Sequence, residues 1–145
     1  MRFDFYHLTR STADRLVAVL ADKTLAAGHR LLVVSEDDAQ LGAISTRLWT
    51  FSPTSFLAHD RIDGANPGLQ PILLADRIEP ANGARFVVLA DGTWRDAALT
   101  FERTMLLFDA PRVDAARDAW RALKAAGSAE LHYWKQDGGK WVEAG

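Results

Sequence analysis

Four short runs limit what this chain can fold into: residues 30–34 (RLLVV), 71–75 (PILLA), 86–90 (FVVLA) and 104–108 (TMLLF). A strand with one wet face alternates apolar and polar residues. These runs hardly alternate, so both faces must be covered, as in a parallel sheet flanked by helices. The residues before and after the first run supply the crossovers. Residues 3–8 read as a short aromatic-rich strand, and Ser11 or Thr12 then caps a helix running to about Ala27. Leu16, Val19, Leu20 and Ala27 form its predicted buried face, and Gly28 stops it. Ser35, with Asp38 three residues on, reads as a capping-box start to a second helix that ends near Trp49. Strand, helix, strand, helix in this rhythm implies right-handed crossovers.

The middle is looser. Residues 55–59 read as a short strand, and 60–68 (DRIDGANPG) as turn chemistry. Asp91-Gly92 opens a turn after the third apolar run, with Thr93 as cap of a short helix through Leu99. The last helix takes Asp109 as N-cap, Pro111 in its first turn and Gly127 as its stop. The chain ends in AELHYWKQ, Asp137-Gly138-Gly139 and KWVEA, a hairpin with the turn residues such a connection wants. At 145 residues the expectation is one α/β domain, 1–145: a mostly parallel open sheet of nucleotide-binding-like (Rossmann-like) topology, helices on both faces, and a C-terminal hairpin.

Such a sheet invites a nucleotide, yet its phosphate motifs are missing. Neither G-x-G-x-x-G nor G-x-x-x-x-G-K-[ST] occurs, and the first strand–helix turn, Thr9-Arg10-Ser11-Thr12, has no glycine to admit a pyrophosphate. Glu36, Asp37 and Asp38 lie just past an apolar strand, where α/β enzymes hold metals. A helix N-terminus favours acidic residues in any case, and only isolated Asp76 and Asp91 stand elsewhere to complete a site. A small nucleotide- or metal-dependent enzyme using this strand end is the alternative reading. The four histidines lack metal spacing, G-x-S-x-G is absent, and without cysteine there are no thiol nucleophiles, disulfides or iron–sulfur clusters. Seventeen basic against nineteen acidic residues, net −2, argues against phosphate-backbone binding as the main activity. The charged N-terminus lacks a signal-like apolar core and no run is long enough to span a bilayer, so the expected location is cytoplasmic, with no membrane partner.

Two features remain for recognition. In the last helix Ala116, Ala119, Leu123 and Ala126 form a stripe for burial, while Arg117, Trp120, Arg121 and Lys124 fall together on the other side. Cations around one large aromatic suit an anionic partner. Trp49, Phe51 and Phe56 crowd a second segment that reads either as a seal on the core or as a docking patch.

Taken together, these residues make the chain resemble the chi subunit of bacterial DNA polymerase III holoenzyme, part of the clamp-loader assembly. The resemblance runs nearly end to end. It includes F-x-F-Y-x-L (Phe3, Phe5, Tyr6, Leu8), the G-x-R-L-L-V…S-E-D stretch at 28–37, L-W…S-F…H (Leu48, Trp49, Ser55, Phe56, His59), F-E-R at Phe101, and A-R-x-x-W-R-x-x-K…A-G at 116–127. The resemblance implies a non-catalytic adaptor with a nucleotide-type fold, no cofactor, and only indirect contact with DNA. Its implied partner is the acidic C-terminal tail of single-stranded DNA-binding protein, which ends in an apolar aromatic residue. By motif, Arg117 takes that tail's terminal carboxylate, Trp120 (tyrosine in familiar members) walls the pocket for its last side chain, and Arg121 meets its acidic residues. A further lysine of the family pattern falls at Val113 here, and Lys124 is expected to compensate. Trp49 and Phe56 correspond to the surface for the psi subunit, which links chi to the clamp loader, or for a repair helicase.

Overall fold

The computed structural model describes residues 1–52, 57–127 and 129–144. Among these residues, eight strands and three α-helices follow one another as β1 (Arg2–His7), α1 (Ala13–Ala26), β2 (Leu31–Val34), α2 (Asp38–Trp49), β3 (His59–Arg61), β4 (Ile72–Ala75), β5 (Phe86–Leu89), β6 (Arg103–Phe108), α3 (Val113–Ala126), β7 (Glu130–Asp137) and β8 (Lys140–Glu143). They form a single open sheet in the order β3-β4-β2-β5-β6-β1-β7-β8. Every neighbouring pair is parallel except β7 and β8. The four apolar runs occupy β2, β4, β5 and β6, and in each the side chains divide between two cores. Leu31, Val33, Ile72, Leu74, Val88 and Met105 meet α1 and α2 on one face. Leu32, Val34, Leu73, Val87, Leu89 and Leu106 meet α3 on the other. That division is why the runs do not alternate.

Local details depart from the sequence reading where tertiary partners intervene. In α1, Leu16 and Leu20 are buried as expected, but Val17, Ala18, Ala21 and Thr24 complete the buried arc. Val19 is 37% exposed and Ala27 lies on the surface. The helix packs against α2 as well as the sheet, with an Arg47–Asp14 ion pair at 3.0 Å between them, so its buried arc turns toward α2. The cap of α2 is Asp37, not Ser35: the Asp37 carboxylate accepts from the amides of Ala39 and Gln40 at 3.0 and 3.2 Å. A carboxylate taking two N–H groups at the positive end of a helix outcompetes a hydroxyl. Ser35 is fully buried and its hydroxyl donates to the Gln40 side chain.

Part of the strand expected at 55–59 lies outside the described residues; β3 begins at His59 and runs into what reads as turn sequence. The helix expected from Thr93 is only a 3-10 turn at Asp96–Thr100, and the Thr93 amide ahead of it donates to the Asp91 carboxylate at 3.1 Å. Another 3-10 turn, Ala110–Arg112, precedes α3, and Asp109 makes no side-chain cap. Ala116, Ala119 and Leu123 are buried as the stripe predicts, whereas Ala126 is exposed at the helix end. Gly127 closes α3 at φ 74°, in the left-handed region that glycine adopts at no steric cost.

Candidate functional site

The packing of α3 begins with aromatic rings. Trp120 meets Phe5 of β1 edge-on, centroids 5.3 Å apart and planes at 89°, and meets Tyr133 of β7 at 5.8 Å and 86°. Phe108 of β6 continues the cluster, 6.5 Å from Phe5 and 5.9 Å from Tyr133, and His7 stacks on it at 5.0 Å. Trp120 therefore does not stand out in solvent, as the helical projection places it, but is half-buried. One side of its ring system is fixed by the sheet; the rest faces an open cleft of about 460 Å³ lined by Arg117, Trp120, Arg121, Tyr133 and Ala144. An aromatic anchored in this way presents a rigid surface that loses little freedom when a partner arrives.

The charges sit at the rim. Arg117 is exposed, with no hydrogen bond or ion pair to any of the described residues. Arg121 makes one loose contact with Asp118, 3.4 Å, with both side chains more than 70% exposed. Such a pair contributes little and is readily exchanged for a better acceptor. Burial pushes the Tyr133 phenol up from its ordinary value, partly offset by Arg117, so the ring stays neutral and adds no negative charge. Lys124 is exposed one turn further along and does not line the cleft. Val113 is half-buried against the core beneath α3, so its side chain contributes packing and not charge. Tyr133 and Ala144 escaped the sequence reading. Alternation in β7 separates Tyr133 from Trp134, but which of them faces α3 depends on β7 lying beside β1.

The second patch is partly described. Trp49 ends α2 at 49% exposure, its ring against that of His59 with centroids at 4.4 Å. His59 is buried; its Nδ1–H donates to the Leu57 carbonyl at 2.8 Å, and its Nε2 lies 2.8 Å from the Ser45 hydroxyl. That histidine is a satisfied platform for Trp49. Phe51 packs on the core beside α1 and α2, and Phe56 lies outside the described residues.

At the strand end considered for metal or nucleotide, the carboxylates are engaged. Asp37 caps α2, Asp38 pairs with Arg61, and Glu36 lies 3.5 Å from Arg95. Burial works to raise the Asp91 carboxyl, but Arg95 at 2.8 Å and the amides of Glu36 and Thr93 hold it below the usual carboxylate range. The turn after β1 is also occupied. Gln136 Oε1, reaching over from β7, accepts from the backbone amides of Thr9, Arg10 and Ser11 at 3.1, 2.9 and 3.0 Å, and its Nε2 donates to Ser11 Oγ at 2.9 Å. A side chain of the protein thus holds amides that a phosphate takes in nucleotide-binding sheets.

The family model for the DNA polymerase III chi subunit, HolC, matches residues 1–130. Among curated proteins, the "Probable DNA polymerase III subunit chi" of Rickettsia prowazekii (strain Madrid E) is 24% identical over 92 residues, covering 63% of this chain and 56% of that relative. The chain thus spans just over half the length of that relative. No helix among the described residues is long and apolar enough to cross a membrane. With β1 through α3 all inside the matched residues, the chain belongs to the DNA polymerase III chi subunit family.

Proposed function

We propose that this chain is a non-catalytic adaptor in DNA replication, linking the clamp-loader complex of DNA polymerase III to single-stranded DNA-binding protein by gripping that protein's acidic C-terminal tail. The observation that carries the reading is the α3 cleft: a fixed aromatic wall of Trp120 and Tyr133 beneath the uncommitted guanidinium of Arg117 and the loosely held one of Arg121. In this reading Arg117 takes the terminal carboxylate in a two-pronged contact that a lysine would not reproduce. The tail's last side chain lies against Trp120, and Arg121 with Lys124 attracts its acidic residues. The side chain at Val113 adds no charge, so steering rests on the remaining three cations.

The test is titration of a labelled acidic peptide ending in an aromatic residue. Arg117→Ala is expected to weaken binding by about 1.5–3 kcal/mol, the scale of a charge-assisted pair. Affinity should also fall as salt rises, because the cations are exposed. Equal affinities for wild type and variant would reject the site. The Trp49 patch is proposed as the contact for psi or a repair helicase. Trp49→Ala should leave peptide affinity unchanged while reducing co-purification of such a partner, and loss of peptide binding in that variant would reject the separation of the two surfaces.

A further inference from the structure

We propose that the groove between α1 and the β7–β8 hairpin is a binding site for a small aromatic carboxylic acid. It lies on the face of the sheet opposite the α3 cleft, and its hairpin wall lies beyond the residues matched by the family. The cavity measures about 240 Å³. Sites for drug-sized ligands run to roughly 300–1,000 Å³, so this one fits a single ring with a short acyl arm and excludes a nucleotide.

Leu16 and Leu20 of α1 form one wall, Met105 of β6 the floor, and Trp134 and Trp141 of the hairpin the other wall. Tyr6 braces both indoles: Trp134 stacks on it at 6.1 Å and 11°, and Trp141 meets it edge-on at 5.4 Å and 88°. The apolar stripe of α1 continues past what the fold covers, since exposed Val19 and Ala27 share the lining with Leu16 and Leu20.

Charge decides the sign of the ligand. The charged residues of the lining are Lys23 and Arg103, both cations. The carboxylate behind Arg103, Asp4, is fully buried, and its oxygens already accept from Arg2, Arg103 and Trp134. Arg103 spends its Nε–H on Asp4 and one terminal nitrogen on the Tyr6 hydroxyl, which leaves further guanidinium N–H groups. The Trp141 indole N–H has no hydrogen-bond partner among the described residues. An apolar box with two cations and no lining carboxylate selects an aryl acid over an aryl amine.

Hydrocinnamate, its neutral amide and phenethylamine are titrated into the full chain, with the indole N–H resonances followed by proton–nitrogen NMR and assigned from Trp→Phe variants. Hydrocinnamate should shift Trp134 and Trp141 saturably while Trp94 stays still; any accompanying shift of Trp120 reports the α3 cleft, and Arg117→Ala should remove it without changing the shifts of the other two indoles. The amide should bind about tenfold more weakly. Lys23→Glu, at an exposed position, should weaken the acid by about three- to fivefold with the rest of the spectrum unchanged. Absence of saturable shifts at both indoles would overturn the proposal, as would equal affinity for acid and amide. A shift confined to Trp120 would place the acid in the α3 cleft and overturn it too.

Discussion

Three backbone amides converge on one oxygen of Gln136, and that contact joins the first turn of the chain to β7. Gln136→Ala leaves those amides to water, because the turn is largely exposed. The expected cost in urea denaturation is about 1 kcal/mol, the net worth of such bonds at a wet site. Gln136→Glu should be neutral or stabilising, since a carboxylate suits amides beside the start of α1. Asp4 is the opposite case, a carboxylate fully buried in the middle of β1. Burial works to raise it, but Arg2, Trp134 and Arg103 together hold it below the ordinary carboxylate range. Its folded value lies below its unfolded one, so the stabilisation is present above about pH 3.9 and is lost as pH falls through the lower folded value. Asp4→Asn, which leaves two arginines without their shared carboxylate, should cost about 3 kcal/mol at neutral pH and blunt acid denaturation. Neither residue stands out in the sequence: Asp4 reads as an ordinary charge near the N-terminus, and nothing around Gln136 names residues 9–11 as its partners.

The elements were legible where local chemistry decides them. The apolar runs became β2, β4, β5 and β6, and α3 was readable from its stripe and its stopping glycine. The exposed face of α3 was less so. A helical projection counts directions but does not see that Phe5 and Tyr133 rise to meet Trp120. The hairpin carries an element-scale prediction. His132 on β7 gives one ring N–H to Glu130 at 2.7 Å and the other to Glu143 of β8 at 2.8 Å, which requires the imidazolium. Glu130 and Glu143 raise its pKa, against burial and the positive charge of Arg2. A raised folded value stabilises fully below the unfolded pKa of about 6.5, and the contribution disappears as pH rises through the folded value. Thermal unfolding of His132→Gln should therefore be flatter than wild type between about pH 6 and 8; an unchanged pH profile would remove this clasp from the account of the hairpin.

For the molecule as a whole, the hairpin decides where the sheet ends. β7 pairs with β1, so the first strand of the chain is interior, between β6 and β7. Truncation after Ala129 would bare a six-residue edge of β1 and strip cover from Phe5 and Tyr6. Light scattering should then show self-association, since an uncovered flat edge pairs with other chains. A monodisperse truncated chain would show that β1 protects its own edge. By itself the sequence determined the class of the fold, its parallel strands, the glycines that stop α1 and α3 and the cations of α3, because each rests on periodicity or composition within a few residues. Only the tertiary structure decided which strands are neighbours, that Tyr133 joins Trp120, that Val113 packs inward, and that Gln136 fills the first turn. Those outcomes bring together residues from separate elements or depend on which face a neighbour covers, and no local pattern encodes either.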